Sequence, residues 1–143
     1  MTPPDHDAAR EAAIEASFAR QGLMHTLGAR IEQITKGKVI LSMPITEASA
    51  QQHGFAHAGA TFALGDSASG YAALSLMDPG AEVLTVEMKI NLIAPASGAR
   101  LVAEGRVVKP GRRLFVVQST VRSVAEDGTQ RDVALLQGTM IPA

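Results

Sequence analysis

Residues 51–77, QQHGFAHAGATFALGDSASGYAALSLM, hold one ionisable carboxylate among Ala, Gly, Ser and apolar side chains. Asp66 is the only Asp, Glu, Lys or Arg between Glu47 and Asp78. From about His57 to Met77 the stretch reads as a long helix, stopped by Asp78-Pro79-Gly80. Such a helix is expected to be buried nearly all round, its small residues letting other elements approach closely. A buried carboxylate without a partner is costly or takes up a proton. Asp66 is therefore the leading candidate for a functional group. The plainer alternative is an Asp that caps a local turn or faces water at the rim.

Outward from this helix the chain changes period. Leu84, Val86, Met88, Ile90 and Leu92 alternate with Thr85, Glu87, Lys89 and Asn91, the pattern of a half-buried antiparallel strand. Three further strands are expected at 100–108, 113–124 and 131–141. They are separated by the turns Lys109-Pro110-Gly111-Arg112 and Glu126-Asp127-Gly128, completing a meander. Ahead of the helix, 29–34 and 38–45 read as two strands joined by Thr35-Lys36-Gly37, with Val39, Leu41, Met43 and Ile45 on one face. A loop then runs from Pro44 to Phe55. The first seven residues are polar and Pro-containing and read as a loose end. A short surface helix follows over 8–21, capped near Asp5 or Asp7 and ended by Gly22. The chain thus divides into an N-terminal tail and helix, 1–24, and one domain, 25–143. A hairpin, a long apolar helix and a run of strands predict an α+β fold, one curved antiparallel sheet wrapped around the helix.

The bulk numbers exclude several functions. The 143 residues suffice for one ordinary domain. Without cysteine there is no disulfide framework, thiolate metal site or Cys nucleophile. A net charge of −1, with Lys and Arg scattered, argues against a nucleic-acid footprint. Four Phe and one Tyr, with no Trp, disfavour an aromatic stacking platform. The start of the chain lacks a secretory pattern, and no apolar run approaches the ~20 residues of a membrane span. A cytoplasmic protein is the expectation.

The order Gln51, then His57-Ala58-Gly59, then Asp66 resembles the motif of hotdog-fold acyl-CoA thioesterases of the phenylacetate-pathway and 4-hydroxybenzoyl-CoA type. In that motif a loop Gln or Asn precedes a His-Gly-Gly helix start, and an Asp or Glu follows two turns into the helix. The resemblance spans about residues 25–142. It implies the hotdog fold and hydrolysis of an acyl-CoA thioester to free acid and CoA. Asp66 would be general base or nucleophile, the Ala58 N–H would hold the thioester oxygen, and Gln51 would position the carbonyl or the water. His57 opens the helix, and Thr85 falls where a Ser or Thr hydroxyl assists in some relatives. Ala58 replaces the first Gly, which keeps the donor but adds a methyl group beside the substrate. Gly70 replaces a hydroxyl residue of the 4-hydroxybenzoyl type, so that subgroup's substrate is not carried over. No cofactor is implied beyond the CoA of the substrate.

Geometry adds a requirement of its own. On one helix Ala58 and Asp66 stand roughly 12 Å apart at 1.5 Å per residue. An oxyanion donor and a base must both come within about 3 Å of the reacting group. One subunit cannot supply both, so a homodimer with two antiparallel helices is expected, with a dimer of dimers also open. His53 and His57 have a spacing that binds metal only if both are helical, and Gly54 argues against that, so no metal is expected. Tyr71 reads as core. Lys109, Arg112 and Arg113 are either a solvated turn or a site for the CoA phosphates. Two other functions stay open: a hotdog hydratase or dehydratase using His57 with Asp66, and a non-catalytic acyl-CoA-binding module.

Overall fold

The computed structural model describes residues 4–143. Its helices are α1 (Pro4–Ala19), α2 (Gly22–Thr26) and α3 (Ala58–Leu74), with one 3-10 turn at Glu47–Ser49. Its strands are β1 (Arg30–Thr35), β2 (Lys38–Pro44), β3 (Val83–Leu92), β4 (Arg100–Lys109), β5 (Phe115–Val124) and β6 (Gln130–Pro142). All six form one antiparallel sheet in the order β1-β2-β4-β5-β6-β3, and α3 packs along it. This is the expected α+β hotdog fold. Helix α1 starts at Pro4, a residue well suited to a first helical turn, rather than at Ala8. The side chains of Asp5 and Asp7, the expected caps, lie outside the described residues.

The sequence suggested a simple meander, and the sheet order departs from it. Strand β3 pairs with β6 at the far edge, while β4 takes the free side of β2. Residues 93–99 carry the chain between those two places. The backbone N–H of Ile93 donates to Val133, that of Ala99 to Val124, and that of Ala56 to Ala96 across the end of the sheet. Strand β3 keeps one edge unpaired among the described residues.

The core is aliphatic, as so few aromatic residues require. Val39, Leu41, Leu64, Ala68, Leu101, Ala103 and Val121 are completely buried between α3 and the sheet. Seating the helix needs small residues on both sides. A Cβ at Gly105 of β4 would collide with the Ala68 peptide of α3, and one at Gly65 would lie 2.9 Å from the Leu136 methyl groups. At its far end the helix is tied to the β1–β2 turn. The Ser75 hydroxyl donates to the Ala72 carbonyl at 2.6 Å and accepts the Gly37 N–H at 2.8 Å. Gly37 has φ +76°, a turn conformation that glycine adopts without strain.

Helix α3 is not enclosed all round within one chain. Ala58 and Gly59 are exposed and Phe62, Ala63, Asp66 and Ser67 half-buried, leaving one stripe uncovered. Ile14 of α1 joins the main core, and Phe18 packs near the buried Tyr71, ring centroids 6.1 Å apart. Among the described residues no helix is long and apolar enough to cross a membrane.

Candidate active site

At the start of α3, His57 is the N-cap with φ −60° and ψ 140°, and its Nδ1 accepts the Gly59 N–H at 2.8 Å. The His57 carbonyl takes the N–H groups of Ala60 and Thr61. The Ala58 N–H has no acceptor among the described residues. It remains the open donor that every helix start possesses, with the positive end of the helix dipole behind it. Gln51 closes the preceding loop: its N–H donates to the Phe55 carbonyl at 2.8 Å, and its side-chain carbonyl accepts the His53 N–H. That leaves the Gln51 amide N–H groups as donors. Gln51, Phe55, His57, Ala58, Thr61 and Ile93 share one groove of about 580 Å³. His53 stands in the turn before the helix, so the helical pairing with His57 that a metal would use is not formed.

Two turns further, Asp66 opens into a second cavity of about 330 Å³, lined also by Ser17, Gln21, Tyr71, Thr85 and Met140. Thr85 Oγ1 donates to Asp66 Oδ1 at 2.8 Å, which leaves Oδ2 to the cavity. Burial pushes the Asp66 carboxyl above its ordinary range, and the Thr85 hydrogen bond draws it back in part.

Thr85 reaches Asp66 because β3 contains a β-bulge. Thr85 pairs with Met140 and Glu87 with Thr139, so Val86 is an extra residue. Strict alternation puts Thr85 on the polar face, opposite Met88. The bulge reverses the phase between them, so that Val83, Thr85, Met88 and Ile90 all face the helix. Leu84, Val86 and Leu92, expected to be inside, are more than half exposed.

The structure therefore joins Asp66 to Thr85 and Gln51 to His57 and Ala58, but the two groups line separate cavities of one chain. Arg112 and Arg113 share a groove of about 520 Å³ with Leu114, Ile141 and Pro142. Ile141 and Pro142 pair with Leu84 and Val83, so this basic turn lies at the Thr85 end of the sheet. Lys109 ends β4 in the same hairpin.

Sequence reasoning missed the contribution of α1. The Gln21 amide donates to the Tyr71 hydroxyl at 2.7 Å, and Ser17 Oγ lies 3.1 Å from the same oxygen. Ile14, Ser17 and Phe18 fall at i, i+3 and i+4 of α1, a spacing that marks a covered helix face, while Gln21 lies just beyond it as the extended N-cap of α2.

A model of the thioesterase superfamily matches residues 53–129. The chain belongs to the thioesterase superfamily. The matched segment runs from the loop before α3 through β5, and membership places the chain among thioester hydrolases. A thioesterase family protein from Silicibacter pomeroyi superposes with a TM-score of 0.90 at 47% identity, covering 93% of this chain and 97% of that one. The 1,4-dihydroxy-2-naphthoyl-CoA hydrolase of Listeria monocytogenes is 26% identical over 105 residues, 73% of this chain and 85% of that protein. The E. coli PaaI protein of the phenylacetic acid degradation operon shares the fold, with a TM-score of 0.83 at 22% identity, covering 96% and 95% of the two chains.

Proposed function

We propose that the chain hydrolyses acyl-CoA thioesters at a site completed by a second copy of itself. The observation that carries this reading is the division along α3: an open N–H donor at Ala58, and a partly desolvated carboxylate at Asp66 with one oxygen free. The unpaired edge of β3 supports the second copy. An exposed ten-residue edge bearing Leu84, Val86 and Leu92 is a ready template for pairing. Two-fold pairing there continues the sheet and lays the two α3 helices side by side and antiparallel, covering their open stripes.

In the completed site the Ala58 N–H of one protomer stabilises the oxyanion, aided by the helix dipole. The Gln51 amide positions the carbonyl or the water. Asp66 of the other protomer, held by Thr85, takes the proton of the attacking water or attacks the carbonyl itself. The thiol leaves as thiolate, its ordinary pKa near 8.5 requiring no strong acid. One carboxylate and one oxyanion donor therefore suffice, and no cofactor enters. Lys109, Arg112 and Arg113 bind the CoA phosphates at the rim.

The test is release of free thiol from a panel of aryl and straight-chain acyl-CoAs. Steady turnover with at least one of them is expected. Stoichiometric binding without turnover would favour a binding module, and hydration of an enoyl-CoA without thiol release a hydratase; either outcome overturns the reading.

A further inference from the structure

The groove at the start of α3 holds a feature that thioester hydrolysis alone leaves unused. Thr61 lines it one turn beyond Ala58, the residue is 1% exposed, and its Oγ1 has no hydrogen-bond partner among the described residues. A helical Thr ordinarily satisfies its hydroxyl on the carbonyl three or four residues back. Here that bond is not made, and the Thr61 hydroxyl is without an acceptor among the described residues. A buried hydroxyl in that state is destabilising unless a ligand supplies the acceptor. The remainder of the groove is apolar, with Phe55, Leu92, Ile93, Pro95 and Val133. It is a pocket suited to an acyl or aroyl body, carrying few polar groups that fix its orientation.

Ala58 and Thr61 are three residues apart, so they stand on one face of α3, roughly 4.5 Å apart along its axis. If the Ala58 N–H holds the thioester oxygen, the Thr61 hydroxyl stands next to the part of the acyl group just beyond the carbonyl. We infer that Thr61 is a specificity residue for acyl-CoA thioesters bearing an oxygen on the β-carbon: 3-hydroxyacyl, 3-oxoacyl or ortho-hydroxyaroyl groups. Thr61 Oγ1 donates to that oxygen. The inference rests on the proposed acyl-CoA thioesterase reading and adds the substrate class to it.

Paired substrates separate the two claims. Thiol release is measured for benzoyl-CoA against 2-hydroxybenzoyl-CoA, and for butyryl-CoA against 3-hydroxybutyryl-CoA. The wild-type dimer is expected to favour the oxygenated member of at least one pair by roughly tenfold in kcat/KM, the effect of one buried hydrogen bond. Thr61→Val, which keeps the shape and removes the hydroxyl, should bring that ratio close to one, and Thr61→Ser should restore it. Equal rates within both wild-type pairs would overturn the assignment of Thr61 and leave the thioesterase reading intact. So would a preference that survives Thr61→Val, or a Thr61→Val loss shared equally by both members of a pair. Absence of thiol release from all four substrates and from the wider panel would instead count against the thioesterase reading itself.

Discussion

The two cavities along α3 make an instructive contrast. The N-terminal groove offers donors and no charge: the Ala58 N–H, the Gln51 amide and the Thr61 hydroxyl against apolar walls. The Asp66 cavity offers a carboxylate steadied by one hydroxyl, with Tyr71, Ser17 and Gln21 around it. Each has what the other lacks. A donor site without a base binds a carbonyl and leaves it intact. A base without a donor faces an unstabilised oxyanion. Under the proposed mechanism, their spacing along one helix makes a second copy of the chain a chemical requirement.

The largest expected effect removes the base. Asp66→Asn keeps shape and should lower kcat by about a hundredfold or more while substrate still binds. The same substitution should raise the thermal midpoint. The Asp66 carboxyl is pushed up on folding, so the native chain holds its proton more tightly than the unfolded one. Stability at this site is thus greatest at low pH and falls as pH rises from the ordinary Asp value through the raised one. Asparagine never pays that cost. A melt in which Asp66→Asn is less stable at neutral pH than the wild type would contradict the desolvation argument.

Next comes the donor. Ala58 is the first helical residue, where proline is well tolerated, and the extended backbone of His57 suits a following proline. Ala58→Pro therefore deletes one N–H with the helix kept, and about a hundredfold loss of kcat is expected. Dimers mixed from Asp66→Asn and Ala58→Pro chains sharpen the contrast. If the site is shared, one of their two sites carries both lesions and the other carries neither, so activity returns. No recovery in verified mixed dimers would place both groups in a single chain.

A smaller effect is expected at the basic turn. Arg112→Ala with Arg113→Ala should raise KM for acyl-CoA roughly tenfold and weaken its salt dependence, with kcat little changed. An unchanged KM would leave the turn merely solvated. The smallest effect concerns Thr85→Val, which removes the one influence drawing the Asp66 carboxyl down. In the proposed mechanism the ionised form is the active one, so rates should fall as pH drops through the carboxyl's raised value. The variant's acid limb should move to higher pH, with about threefold slower turnover on the acid side. An acid limb that stays in place would deny the coupling.

The contrast also marks how far the sequence could be read. The helix and the two-residue period were legible because each is a local pattern, whereas the Gln51–His57–Asp66 order drew notice only through its resemblance to the thioesterase motif. The edge position of β3 was not, since strand order depends on which free edge the chain meets after residues 93–99. The bulge at Val86 was hidden for a related reason. A strictly alternating run carries no mark of an inserted residue, and the phase error sent Thr85 to the wrong face. Thr61 resembled any small helical residue until its missing partner became visible in three dimensions.

The glycine in β4 bears on all of this. With no side chain between Gly105 and the Ala68 peptide, α3 rests backbone to backbone on the sheet. No layer of rotatable groups separates the two backbones there, so at this point the height of the helix above the sheet is set by backbone contact. Ala58 and Asp66 of one chain therefore keep a separation as fixed as the helix pitch, so in the proposed dimer the alignment of donor and base is set by how the two α3 helices meet. Room for different acyl groups then has to come from the other walls of the groove, the loop around Gln51 and the apolar side chains of Leu92, Ile93 and Pro95.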